Sequence, residues 1–260
     1  MTQDVWDQLH DKKDPYGFSF KEAIWSGCKN VDSGIGVYAG SHDSYTTFAP
    51  MMDKVIEEYH GHKKTDIHPK ESGSLNAPDF PADEAIMIKS TRIRVGRNLA
   101  GYPLGPGISQ AQRAEVESKV TTALKTFDGE LKGTYYPLKG MAPDVQKKLI
   151  DDHFLFKEGD RFLDACGLNR EWPENRGIFH NDTKTFLTWV NEEDQLRIIS
   201  MQEGSNIRQV FERLLTALEK FEKVAKFSFD DHNGYITSCP TNLGTAMRAS
   251  VHIHLPLLSQ

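Results

Sequence analysis

RGIFHNDTKTFLTWVNEEDQLRIISM, Arg176–Met201, is the stretch whose reading decides the fold. RGIFHN, TFLTWV and QLRIISM read as strands, and NEED between the last two is a polar turn suited to a hairpin. Working back along the chain, AIMIKSTRIRV (residues 85–95) alternates after its first residues. Ser90, Arg92 and Arg94 then share one face of a strand, and Thr91, Ile93 and Val95 share the other. Working forward, GYITS, CPTNLGT and MRASVHIHLPLL (residues 234–258) read as strand, non-helical loop and strand. In the last of these Arg248, Ser250, His252 and His254 share a face.

Helices surround these strands. Ser109 and Gln112 make a capping-box pattern ahead of Val116, Val120, Leu124 and Phe127. Another helix follows Pro143, and Ile207, Val210, Phe211, Leu214, Leu218 and Phe221 mark a long one. Tyr45, Phe48, Met52, Val55, Ile56 and Tyr59 fall on one helical stripe, so the N-terminal part reads as helical. From His60 to Ala82 the chain is polar and broken by Gly61, Pro69, Gly73, Pro78 and Pro81, which reads as an interdomain linker. A boundary near residue 83 divides a helical part, 1–83, from a sheet-bearing part, 84–260. Strands and helices do not alternate regularly enough for a βαβ array, so the class is α+β, with helices packed on an antiparallel sheet.

The 260 residues, 38% hydrophobic and 26% charged, suffice for a core, and no apolar run approaches membrane-spanning length. With 31 basic and 37 acidic residues the net charge is −6, which argues against a nucleic-acid-coating surface. Cys28, Cys166 and Cys239 are odd in number and widely spaced, so neither a disulfide scaffold nor a structural zinc site is indicated. The N-terminus, MTQDVWDQLHDKK, lacks the pattern of a secretory signal, and a cytoplasmic location is the expectation.

No G-x-x-x-x-G-K loop is present, and the loose string Gly34-Ile35-Gly36-Val37-Tyr38-Ala39 follows a polar segment instead of a buried strand. A polyphosphate would therefore have to be held by side-chain cations, and Arg92, Arg94, Arg197 and Arg248 all stand on predicted strands. Glu193, Gln195 and Arg197 share a face if pairing begins early. On pattern alone a solvated face with surface ion pairs is the commoner outcome. Cys239, likewise, is by pattern more often a small buried hydrophobe than a reactive thiol. His252 and His254 lack a third metal ligand. Glu192, Glu193 and Asp194 ordinarily mean a hydrated loop, although two carboxylates can hold a planar guanidinium by paired hydrogen bonds.

CPTNLGT around Cys239, NEED before LRIISMQ, STRIR around Arg92, GTYYPL and LIDDHFLFKEGDRFL together resemble the phosphagen, or ATP:guanidino, kinases, from about Asp4 to Leu258. The compact DSGIGVYAGSHDSY loop resembles that of arginine kinases within the family. The resemblance implies a small all-α N-terminal domain and a larger, glutamine synthetase-like domain with an antiparallel sheet flanked by helices. It implies reversible transfer of the ATP γ-phosphoryl group to L-arginine, giving ADP and phosphoarginine as an energy buffer. Taurocyamine, lombricine or creatine is the alternative acceptor, and a non-catalytic nucleotide-binding role the alternative class.

By the same resemblance, Ser33, Gly34, Ile35 and Gly36 with the Tyr38 hydroxyl recognise the amino-acid end of the substrate. Glu193 binds its guanidinium, with Cys239 beside it as a thiolate tuned by Thr241. Arg92, Arg94, Arg197 and Arg248 grip the ATP phosphates, and His153 and His252 flank the adenine. Asp32 and Arg161 link the domains, Mg²⁺ arrives bound through ATP, and the protein acts as a monomer or homodimer. Against the family pattern the chain reads as shortened at both ends, without its C-terminal part. The expectation is reduced turnover, an exposed sheet edge and low stability.

Overall fold

The computed structural model describes residues 1–69 and 78–258. Residues 70–77, inside the predicted linker, lie outside the described residues. A helical N-terminal domain precedes a larger domain built on an antiparallel sheet. The first comprises α1 (Gln3–Leu9), α2 (Phe20–Lys29), α3 (Ser44–Thr47) and α4 (Ala49–His60). Ser19 and Glu22 form a reciprocal capping box that starts α2, and Gly61, left-handed at φ 69°, ends α4. The stripe predicted as one helix over residues 43–59 is two, interrupted at Phe48, whose backbone (φ −106°, ψ 23°) leaves the helical region. Pro50 in the first turn of α4 explains the restart, since proline tolerates only that part of a helix.

Between the domains lies α5 (Ala82–Ala85), followed by β1 (Ile88–Arg97), α6 (Gln110–Leu124), β2 (Gly133–Pro137), α7 (Pro143–Asp151) and α8 (Arg161–Ala165). Then come β3 (Gly177–Asn181), β4 (Phe186–Val190), β5 (Leu196–Glu203), α9 (Ile207–Glu222), β6 (Phe229–Asp230), β7 (Gly234–Tyr235) and β8 (Met247–Ile253). The main sheet has the order β2-β3-β4-β5-β1-β8, with every neighbouring pair antiparallel. The predicted GYITS strand is reduced to the two residues of β7, paired with β6 and bridged through Gly234 to Gly244. CPTNLGT, predicted non-helical, contains one 3₁₀ turn, Pro240–Asn242.

The period-2 pattern of β1 decides what each face of the sheet does. Ile93 and Val95 join Phe179, Phe186, Val190, Leu196 and Ile198 in a core sealed by Val116 and Val120 of α6 and Val210, Leu214 and Phe221 of α9. On the opposite face, Ile178, Leu187, Trp189 and Ile199 pack under Leu149 of α7 and Leu155 and Phe156 beyond it. That second core ends along Trp189, Ile199 and Met201, and beyond it the face carries Arg197 of β5 and the polar residues of β1 and β8. β8 lies at the sheet edge and is mostly exposed.

The helical domain has its own core of Leu9, Phe20, Phe48, Met52 and Ile56, and it takes in Leu104, Ile236 and Leu243 from later in the chain. Ile236 is fully buried there. Ile236→Ala should therefore cost about 2–5 kcal/mol, as truncation of a buried isoleucine does, read from urea denaturation; an unchanged midpoint would show that the helical core does not depend on the later segment.

Candidate active site

Register brings the arginines together. Arg94 pairs with Arg248 across β1 and β8, Arg92 with Ser250, and Ser90 with His252. On the other side Gly96 of β1 faces Arg197 of β5. Because residues two apart on a strand share a face, Arg92, Arg94, Arg197 and Arg248 crowd one polar patch. Burial first, and the Arg197 and Arg248 charges second, pull the Arg92 guanidinium below its ordinary value; Arg94 is lowered in the same way by burial, Arg197, Arg92 and Arg248. Among the described residues no carboxylate lies within ion-pair distance of Arg92, Arg94 or Arg248. Arg92 Nε is buried with no partner. A half-buried cluster of this kind is poised for an anion.

Arg197 differs. Burial opposes its charge, but Glu192, Glu193 and Asp194 outweigh burial and hold its pKa up. Its Nη1 lies 3.2 Å from Glu192 and its Nη2 donates to Glu193 Oε2 at 3.0 Å, while the guanidinium stacks 5.4 Å over Trp189, its cross-strand partner. Gln195 does not share this face: its side chain accepts from the Leu99 N–H at 2.7 Å and donates to the Pro103 carbonyl at 2.9 Å. The strand begins only at Leu196, so the parity assumed for Gln195 fails.

The NEED turn is not a hydrated loop. Asn191, Asp194 and Gln195 are buried, and Glu193 is only 16% exposed at its side chain. Asp194 Oδ1 accepts from Asn98 Nδ2 and from the Ser238 N–H, both at 2.8 Å, and Ser238 Oγ donates to the Glu193 carbonyl at 3.0 Å. One carboxylate thus ties the end of β1, the turn and the cysteine loop. Burial raises Asp194 above the usual carboxylate range, against the pull of these donors. Pattern reading names Asp194 only as one carboxylate of a polar turn and does not find Asn98, because their partnership spans 96 residues of sequence.

Cys239 is buried beside Tyr38, Cys166 and Leu168. Its Sγ lies 3.1 Å from Thr241 Oγ1, and Asn242 Nδ2 lies 3.4 Å from Glu193 Oε1. The expected thiolate is not what the unliganded site favours. Burial, reinforced by the Glu193 charge, pushes the Cys239 thiol up to about 11, against the pull of the Thr241 hydrogen bonds. Burial likewise keeps the Tyr38 phenol protonated and able to donate.

The 33–38 loop lies on the helical side of this cluster. Gly36 at φ 72° meets Gly27 of α2 so closely that a Cβ on Gly36 would sit 2.6 Å from the Gly27 Cα. Ser33, Gly34 and Ile35 stay partly or fully exposed beyond that contact. Asp32 pairs with Arg161, which holds its carboxyl below the ordinary range, and this joins the helical domain to α8. His252 accepts or donates a 2.8 Å bond with Ser90, whereas His153 occupies an exposed left-handed turn (φ 62°) after α7. A cleft of about 600 Å³ opens over the arginine patch, lined by Arg94, Arg197, Arg248, Thr241 and Asp194 together with Tyr59 and His60 of α4. Neither His153 nor His252 lines it. The sequence places Tyr59 on the apolar helical stripe and His60 at the start of the linker, and assigns neither to the site.

This pattern of cationic strands, buried carboxylate turn and cysteine loop coincides with two family models. Residues 115–260 match the ATP:guanido phosphotransferase C-terminal catalytic domain, and residues 1–57 match the corresponding N-terminal domain. The chain belongs to the ATP:guanido phosphotransferase family. It is 54% identical to the arginine kinase Lit v 2 of Penaeus vannamei and, equally, to an arginine kinase of Callinectes sapidus, covering all of this chain and 73% of each relative. Among solved structures, the duplicated taurocyamine kinase of Schistosoma mansoni with bound transition-state analogue components superposes with a TM-score of 0.92 at 39% identity, over 99% of this chain and 36% of that one. A lombricine kinase does so at 0.92 and 38%, over 100% of this chain and 73% of that one. Arg197 and Arg248 of the patch, with Glu193 and Cys239, lie within the residues matched by the catalytic-domain model, and Arg92 and Arg94 lie between the two matched segments.

Glu193 sets a pH signature. Burial, then the Asp194 and Glu192 charges, lift its pKa from 4.5 to about 7 despite Arg197. A raised carboxyl contributes stability that is full below the unfolded value and is lost as pH rises through the folded one. The thermal midpoint of Glu193→Gln should therefore gain on the parent between pH 5 and pH 8, by the equivalent of about 2–3 kcal/mol. A constant difference across that range, measured by calorimetry, would contradict the assignment.

Proposed function

We propose that this chain is an ATP:L-arginine phosphotransferase, with residues 1–83 as the substrate-specificity domain and residues 84–260 as the nucleotide-binding domain. The observation that carries the reading is the register that gathers four arginines on one sheet face beside a buried glutamate and cysteine. The 54% identity to arginine kinases over the whole chain favours arginine over other guanidines.

In this reading Arg92, Arg94, Arg197 and Arg248 hold the phosphates of ATP, and their unmatched charge is neutralised only when the nucleotide is bound. His252 and His153 are assigned to the adenine by the family resemblance, although neither lines the cleft. Mg²⁺, carried by the oxygens of ATP as part of that substrate, would supply neutralisation of phosphate charge alongside the four arginines. The backbone of Ser33, Gly34, Ile35 and Gly36 and the Tyr38 hydroxyl take the amino-acid end of arginine. Asp32 and Arg161 keep the two domains in register.

Glu193 accepts hydrogen bonds from the guanidinium and aligns one nitrogen with the γ-phosphorus. A nitrogen–phosphorus bond forms, the bond from phosphorus to the ADP oxygen breaks with its electron pair going to ADP, and the nitrogen releases a proton. Glu193, with a pKa near 7, is matched to take that proton at neutral pH. The guanidinium also supplies the positive charge that the Cys239 site lacks, so substrate entry pulls the thiol toward thiolate. The protein is taken to act in the cytoplasm, as a monomer or homodimer; among the described residues no helix is long and apolar enough to cross a membrane.

Phosphorus NMR of the protein with ATP, Mg²⁺ and arginine should show phosphoarginine and ADP; strong turnover of taurocyamine or lombricine with none of arginine would move the reading to that substrate. Glu193→Gln should lower kcat by about a hundredfold or more, the usual loss for one transition-state contact. Arg94→Ala should weaken ATP binding in calorimetry, and Cys239→Ala should depress turnover with ATP affinity nearly unchanged. The reverse pattern would overturn the assigned roles.

A further inference from the structure

The segment that leads to Cys239 hangs by its carbonyls from the helical domain. The Asp231 carbonyl accepts from the His68 N–H at 2.8 Å and the His232 carbonyl from His62 Nε2 at 2.7 Å. The Thr237 carbonyl accepts from the Tyr45 hydroxyl and the Ser238 carbonyl from the Ala39 N–H, both at 2.8 Å. The last of the series is the Pro240 carbonyl, 2.8 Å from His60 Nε2. A carbonyl can only accept, so Nε2 of His60 carries the hydrogen.

This last bond differs from the others in what it holds. Pro240 opens the 3₁₀ turn Pro240–Asn242, whose members Thr241 and Asn242 touch Cys239 Sγ and Glu193 respectively. His60 is the final residue of α4, and the left-handed Gly61 turns the chain away directly behind it. The ring therefore leaves a fixed helix end and reaches the turn from the cleft side, where His60 and Tyr59 also line the wall. The Cys239 side chain does not cap the turn, and the Thr237 hydroxyl holds the Cys239 carbonyl at 2.8 Å from within the same segment, so His60 is the side chain that holds the turn from the helical domain.

We propose that His60 is a positioning residue, which fixes the turn bearing Thr241 and Asn242 and so sets where Cys239 and Glu193 meet the guanidinium. This rests on the site assignment made under Proposed function. His60 touches none of the reacting groups itself. It is exposed, so its replacement opens no core cavity. Glutamine can present an N–H in place of Nε2, whereas alanine cannot.

The test compares His60→Ala and His60→Gln with the parent by the rate of Cys239 alkylation with iodoacetamide, read on the Cys239 peptide by mass spectrometry, and by KM for arginine. Loss of one hydrogen bond should change the alkylation rate about fivefold and raise KM for arginine more than KM for ATP in His60→Ala, with glutamine restoring both. An alkylation rate unchanged in His60→Ala, or a change that glutamine does not reverse, overturns the proposal. The alkylation readout needs no turnover, so it stands apart from failure of the parent to phosphorylate arginine, which would sink the arginine kinase reading instead.

Discussion

Four guanidinium groups are held on one face of a sheet with too few carboxylates to match them. At an effective dielectric of about 20, two unit charges about 8 Å apart still repel by about 2 kcal/mol, so such a face persists only where something stronger fixes it. Here the backbone does. Arg94 lies opposite Arg248 because Ile93 and Val95 must point into the core under α6 and α9, and a one-residue slip would bury the arginines instead. The hydrophobic face sets the register, and the register sets the charge cluster. Among the described residues only Arg197 of the four, at the junction with the second core, has neutralising carboxylates, Glu192 and the Glu193 that the proposed reaction uses.

Much of this was legible in the chain. The strands from Arg176 to Met201, the alternation around Arg92 and the capping box at Ser109 depend on neighbours within a few residues, and they appear where the pattern puts them. Less legible was everything decided across long separations. Glu192, Glu193 and Asp194 read as a hydrated turn because their burial comes from Asn98, Ser238 and Asn242, none of them near in sequence. Gln195 misled for the same reason, since a partner at Leu99 turned its side chain before strand pairing began. The break at Phe48 has a local cause in Pro50 that the continuous apolar stripe hides, and β2 is a five-residue edge strand whose Thr134, Tyr135 and Tyr136 suit a strand but are closed in by Gly133 and Pro137.

The charge state of Cys239 shows the same division between motif and surroundings. A motif can place a thiol next to a hydroxyl, but its ionisation depends on what else is desolvated nearby, and here that is a buried carboxylate. An anion beside an anion is unfavourable until a cation sits between them. Glu193 and Cys239 together form a site whose two acidic groups are each held partly neutral when empty, and a planar cation relieves both at once. Binding energy for the guanidinium therefore arises in part from relief of a penalty that folding imposes.

That penalty must be carried by rigid parts, because a flexible loop would relax by letting Cys239 and Glu193 drift apart into water. Asp194 supplies one restraint from the sheet, through Asn98 and the Ser238 N–H. The helical domain supplies the other, since Ile236 and Leu243 on either side of Cys239 are buried in its core and the carbonyls between them accept from its side chains and backbone. The cysteine loop consequently belongs by chain order to one domain and by packing to the other. A shift of the helical domain relative to the sheet cannot leave the loop behind. It strains the bonds of Ser238 to Asp194 and Glu193, so the loop couples the position of the helical domain to the turn that bears the carboxylates.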